Sequence, residues 1–205
     1  MRAKALAAML MLMFGGAGTA VADSHDSYAA EGDGSTASES GGAEYGATSG
    51  QRSSTPAYPV VPGNKAKMLR SGKAAAPAMA PAQVQKAIWA ANEIVGKPYI
   101  YGGGHTTTFK SRGYDCSGTI SYALHFGSAK FLRSPLDSGS FMRWGAKGKG
   151  SWMTVYTNPG HAFIVIAGLR LDTSAAGDPS GQKGPRWRPV LRATQGYVAR
   201  HPAGF

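Results

Sequence analysis

The chain has 205 residues, with 22 Lys and Arg against 11 Asp and Glu, and a single cysteine. One cysteine excludes an internal disulfide and every four-cysteine zinc or cluster site. The net charge of +11 points to an anionic partner, but no stacking motif or recognition-helix signature accompanies it, so nucleic acid is set aside.

Arg2 and Lys4 precede an apolar run from Ala5 to Phe14, and Ala20-Val21-Ala22 follows. A charged start, a short apolar stretch and small residues at that spacing predict a signal peptide over 1–22, cleaved after Ala22. The run is shorter than the roughly 20 apolar residues of a membrane span, and no later stretch approaches that length. The expected location is therefore secreted, extracellular or associated with the cell wall, with no transmembrane segment after cleavage.

From Asp23 to Pro81 the chain is rich in Gly, Ser, Ala, Thr and Pro. Its first half, to Gly50, carries six acids and no Lys or Arg; its second carries five bases and no acid. Such composition predicts a disordered tether over 23–81, because too little apolar surface is available to offset ordering entropy. Residues 82–205 hold fifteen Lys and Arg against five Asp and Glu, and are long enough for one core.

In that domain Val84, Ala87, Ile88, Ala91, Ile94 and Val95 recur at helical spacing, and Gly96 with Pro98 ends the pattern. The glycine-rich stretch Tyr101-Gly102-Gly103-Gly104-His105 follows. Cys116 to about Phe126 reads as a second helix closed by Gly127, and Asp137 as the cap of a short helix through Trp144. Trp152–Tyr156 and His161–Ile166 read as strands around the turn Asn158-Pro159-Gly160, Arg170–Ser174 as a third strand and Tyr197–Arg200 as a last. Helices come first and a mostly antiparallel sheet second, which is the α+β class. Trp144, Trp152 and Trp187 are assigned to the core, the commoner place for the residue.

Asp115 is a good N-cap, which places Cys116 at the first helical position. There a thiol meets unpaired N–H groups and the positive end of the helix dipole, a setting that favours a nucleophilic thiolate. The alternative is a small buried structural cysteine. Gly118 is expected to let this first turn pack closely against a sheet. Among five histidines, His25 lies in the tether and His125 sits about 13 Å along the helix axis from Cys116. His105 lies in the glycine-rich loop, His201 near the C-terminus. His161, opening a strand after a tight turn, is the candidate base, although a histidine on an apolar strand is more often structural. With a two-residue hairpin loop near Ala167-Gly168, His161 and Asp172 share a face, while Ala162, Ile164, Ile166, Leu169 and Leu171 share the other. Asp172 is thus the candidate to orient the imidazole, with a solvated strand-end acid as the alternative. The histidines lack metal-ligand spacing, the glycine run lacks a following G-K-[ST], and neither a metal nor a cofactor is expected.

Pro98-Tyr99-Ile100-Tyr101-Gly102-Gly103, Gly113-Tyr114-Asp115-Cys116-Ser117-Gly118, and Gly160-His161 opening an apolar strand resemble the NlpC family of papain-like peptidoglycan peptidases. The resemblance spans about Val84 to Asp172. It implies hydrolysis of cell-wall stem peptides, typically beside D-glutamate and diaminopimelate, through a Cys-His-Asp acyl-enzyme mechanism. It further implies that the Cys116 N–H and Tyr99 serve the oxyanion, with Asp115 and Ser117 near the substrate. The third position often holds histidine in that family, where this chain has Asp172. Gly150-Ser151-Trp152-Met153 stands in place of its usual P-G-D turn, and the loop from Gly104 to Arg112 is longer than expected, as if to wall the cleft. The expected partner is peptidoglycan or another anionic wall polymer, met by a monomer. Rival readings are a non-catalytic basic wall-binding module, and an amidase or acyltransferase using the same thiol.

Overall fold

The computed structural model describes residues 58–205, so the predicted signal peptide, His25 and most of the expected tether lie outside the described residues. Twelve elements follow in chain order: β1 (Val60–Val61), β2 (Lys67–Met68), β3 (Ala74–Pro77), α1 (Ala82–Ile94), α2 (Cys116–Gly127), α3 (Ser138–Phe141), β4 (Ala146–Lys147), β5 (Met153–Asn158), β6 (His161–Ile166), β7 (Leu169–Asp172), β8 (Arg186–Arg188) and β9 (Val198–His201). The class is α+β.

A six-stranded sheet in the order β4-β9-β5-β6-β7-β8 is antiparallel throughout. The two-residue loop at Ala167-Gly168 sets Ile166 opposite Leu169 and Ile164 opposite Leu171. Both loop residues have positive φ, 48° at Ala167 and 83° at Gly168, as a tight hairpin with right-handed strand twist requires. This register puts Ala162, Ile164, Ile166, Leu169 and Leu171 on one buried face. With Met153, Val155 and Trp187 they form one core with the apolar faces of α1 and α2, each large side chain worth about 1.5–3 kcal/mol when fully buried. The opposite face carries Phe163, Arg170 and Asp172, with His161 at its end.

Residues 58–81 differ from expectation. They are not a tether: β3 pairs parallel with β1 and antiparallel with β2, and Ala74, Ala75 and Ala76 are buried. Asn92 of α1 accepts the Ala74 N–H and donates to the Ala74 carbonyl, both at 2.8 Å. Its Oδ1 also accepts from Trp187 Nε1 at 2.8 Å. Ala66 N donates to the Ala167 carbonyl at 2.9 Å, and Tyr58 stacks on Trp89 with centroids 4.7 Å apart. Composition mistook small, close-packing residues for solvated ones.

Smaller differences concern the termini of elements. The helix expected from Asp137 to Trp144 is a single α-turn followed by hydrogen-bonded turns through Trp144. Strands β4 and β8 were not foreseen. Trp187 is buried, and Trp144 and Trp152 pack partly buried against the core.

Candidate active site

The approach to Cys116 begins with backbone. Pro98 to Gly104 runs beside 113–118: Tyr114 N donates to Pro98 O (3.0 Å), Ile100 N to Tyr114 O (3.3 Å) and Asp115 N to Gly103 O (3.2 Å). A Cβ on Gly118 would collide with the Gly103 carbonyl, and one on Gly103 with the Gly113 carbonyl. Gly118 therefore serves packing against the glycine-rich loop, rather than against a sheet as expected. Asp115 closes the assembly. Its Oδ1 accepts from Gly118 N at 2.7 Å, capping α2, and its Oδ2 accepts from Gly102 N at 2.9 Å.

Asp115 Oδ1 also lies 3.0 Å from His105 Nε2, and Ser117 Oγ is 3.2 Å from that oxygen and 3.3 Å from the same nitrogen. Burial alone would raise the Asp115 pKa, but the bonds from His105 and Gly118 hold it below the ordinary carboxylate value. The bond to Asp115 raises the His105 pKa against a smaller opposing effect of burial. Asp115 and Ser117 are thus committed to holding the loop and the helix start, while still lining the cleft. The longer loop behind them is pinned by Phe109, which is buried at φ 61° and stacks on His125 with centroids 3.9 Å apart.

The half-buried Cys116 occupies the first position of α2, where its N–H has no intrahelical acceptor. His161 arrives from the sheet. Asn158 Oδ1 accepts from Gly160 N (3.0 Å) and His161 N (2.8 Å), an Asx turn that fixes where β6 starts. Ser138 Oγ donates to the Pro159 carbonyl at 3.1 Å and Thr157 Oγ1 to the Ser138 carbonyl at 2.6 Å, docking α3 on this turn.

His161 Nε2 is 2.9 Å from Asp172 Oδ1, so this bond leaves Nδ1 unused, and Cys116 is close enough to bear on the protonation of the ring. Burial works to lower the imidazole pKa, but the bonds to Asp172 and Cys116 and the charges of both prevail and raise it to about 9. Asp172 is fully buried. Ser174 N donates to its Oδ1 at 2.8 Å, Arg192 Nη1 to its Oδ2 at 3.1 Å, and Arg170 Nε lies 3.7 Å from Oδ2. Desolvation by burial would raise its pKa; the His161, Ser174 and Arg192 contacts keep it lowered. Arg192 also lies over the rings of Phe163 and Tyr197, 5.2 and 5.5 Å from their centroids.

Tyr99 lines the cavities on both sides of this pair. Its phenol pKa is raised by burial first and then by the proximity of Cys116 and Asp115. The structure therefore sets Cys116, Asp115 and Ser117 on one cavity and His161, with Asp172 buried behind it, on an adjoining one, and Tyr99 lines both. Of the other histidines, His201 Nδ1 lies 3.0 Å from the Gly148 carbonyl and His125 Nδ1 2.9 Å from the Leu132 carbonyl; neither lines the cleft. Sequence reasoning missed His105, which its loop brings back onto Asp115, and Arg192, which follows the last paired residue of β8. No local pattern marked either one. Arranged in this way, a thiol, a buried-carboxylate-backed imidazole and a nearby phenol can perform nucleophilic acyl transfer.

No family model matches the chain, and no curated protein sequence matches it. Among solved structures it is similar to that of Rv1477, described as a hypothetical invasion protein of Mycobacterium tuberculosis, with a TM-score of 0.39 and 24% identity. The alignment covers 58% of this chain and 61% of that one, so the chain spans less than two thirds of its neighbour's length.

Proposed function

We propose that the protein is an exported cysteine peptidase that hydrolyses peptide bonds in peptidoglycan stem peptides. The observation that carries this reading is His161, bonded to buried Asp172, on a cavity that adjoins at Tyr99 the one lined by Cys116. The resemblance of the three motifs to the NlpC family supports the substrate class, and the charged, apolar, small-residue start of the chain supports export. The basic balance of residues 82–205 fits an anionic wall polymer.

In this mechanism the Cys116 thiolate adds to the scissile carbonyl, forming a C–S bond. The oxyanion is held by the Cys116 N–H and the Tyr99 hydroxyl. Protonated His161, kept so by Asp172, gives its proton to the departing amine as the C–N bond breaks. Water then attacks the thioester while neutral His161 takes its proton, and cleavage of the C–S bond returns the thiolate. Asp172 acts by holding the imidazole's orientation and its charged form.

The test is digestion of purified sacculi by the wild type and by Cys116→Ala, with mass spectrometry of the fragments. The wild type should release peptides cut within the stem, and Cys116→Ala should lose this by at least about 10³-fold while still sedimenting with sacculi. Equal cleavage by both proteins would eliminate the thiol mechanism. Wall binding without cleavage by the wild type would favour a binding module.

A further inference from the structure

Two cavities meet at Tyr99. One, of about 410 Å³, is lined by Cys116 together with Asp115, Asp137 and His105, and does not reach His161. The other, of about 480 Å³, is lined by His161, Thr173, Ser174 and Lys183 over a floor of small alanines, and does not reach Cys116. Both volumes are in the range of small-molecule clefts.

If the Cys116–His161 reading holds, the chemistry assigns each cavity a role. The acyl part of the substrate becomes bonded to the sulfur and belongs on the Cys116 side. The amine departs with a proton from His161, so the leaving group must lie beside the imidazole, in the second cavity. The charges of the two differ in kind. The first contains two carboxylates, Asp137 and an Asp115 already paired with His105. The second presents Lys183 beside the imidazole of His161, with hydroxyls from Tyr99, Thr173 and Ser174, while the nearby acids are engaged: Asp172 is buried beneath, and Asp178 is paired with Arg188.

Lys183 is not on a slack loop. Arg170 Nη2 donates to the Ala176 carbonyl at 2.8 Å, and Arg188 Nη2 to the Gln182 carbonyl at 2.7 Å. Gly184 N donates to the Thr173 carbonyl at 3.0 Å, closing the base of the loop. Both arginines are almost wholly buried, at 0% and 1% exposure, so the loop is fastened from the sheet side. A cation offered from a fixed backbone can discriminate between an anionic and a neutral partner, because charge-assisted bonds are about twice as strong as neutral ones.

We infer that the cavity beside His161 is a leaving-group subsite selective for an amino acid with a free carboxylate, and that Lys183 is its specificity residue. Amidation of that carboxylate would make the substrate a poor one.

The experiment has two arms. In the first, kcat and KM are measured on two short peptides, L-alanyl-γ-D-glutamyl-diaminopimelate and its leaving-residue carboxamide, for the wild type, Lys183→Met and Lys183→Glu. The wild type should favour the acid by about tenfold, mostly in KM; Lys183→Met should erase the preference and Lys183→Glu reverse it. In the second, catalytically dead Cys116→Ala, with and without Lys183→Met, is titrated with diaminopimelate and its amide by calorimetry. Acid should bind more tightly than amide only where Lys183 is present. Cleavage without acid preference, unchanged by the Lys183 variants, overturns the subsite and leaves the peptidase reading standing. Absence of cleavage, with Lys183-dependent binding of the acid, does the reverse. Equal binding of acid and amide in the second arm overturns the subsite whatever the first arm shows.

Discussion

At the start of α2, Gly103 and Gly118 bring two backbones into contact and Asp115 ties them with two N–H bonds. At the end of the sheet, His161 is held by Asp172, and Asp172 by Arg192 and the Ser174 N–H. One side of the cleft rests chiefly on backbone contact that glycines permit, with Asp115 as its tie, and the other chiefly on buried charge. A packed backbone contact answers to volume and is indifferent to pH. A buried ionic chain answers to protonation and keeps its shape only while charged.

The largest break in this comparison is expected on the charged side. Asp172→Asn preserves shape but removes the charge that keeps His161 protonated, and kcat/KM on a stem peptide should fall by about 10²–10⁴-fold. The alkaline limb of the wild-type pH profile should lie near the His161 value of about 9 and move toward the ordinary histidine value, about 6.5, in the variant. Stability carries the same sign. Because the folded value is raised, the contribution is complete below about 6.5 and lost as pH rises through about 9. Denaturant titrations should therefore show a decline of at most about 3 kcal/mol over that window, attenuated in Asp172→Asn.

The second break is on the backbone side. Gly118→Ala introduces a methyl where the Gly103 carbonyl sits, and should destabilise the fold by about 1–3 kcal/mol or more. Its loss should be the same at pH 6 and pH 9, which distinguishes a volume effect from an ionic one. A smaller change sharpens the contrast. His105→Ala leaves Asp115 its bonds from Gly118 and Gly102, so the loss should stay below about 1 kcal/mol. The raised His105 value makes that loss visible at acidic pH and absent once wild-type His105 has also deprotonated; a loss that grows with pH would contradict the ion pair.

The same division accounts for what could be read from sequence. Cys116, His161 and Asp172 were legible because each is placed by a local rule: an N-cap before the cysteine, an Asx-Pro-Gly turn before the histidine, and a two-residue hairpin that fixes parity. His105 and Arg192 were not, because each reaches its partner through an irregular segment whose path no periodicity encodes. Strand β8 escaped notice since Arg186-Trp187-Arg188 looks solvated, yet Arg188 is buried on internal acceptors. The high positive charge likewise overstated the basic surface, since Arg170 and Arg188 face inward. Residues 58–81 were misread for the converse reason. Alanine contributes little to a hydrophobicity argument, but its small size lets β3 lie against α1.

The seating of residues 58–81 on α1 decides where the protein can be trimmed. Composition places the domain boundary at Ala82, directly at the start of α1. A fragment begun there would strip the amide of Asn92 of both bonds to Ala74, bare the ring of Trp89 that now stacks on Tyr58, and unseat the Ala66 strap across the β6–β7 turn. Recombinant versions should open at or before Tyr58, and a protease that nicks between β3 and α1 would threaten solubility long before it touched the cleft.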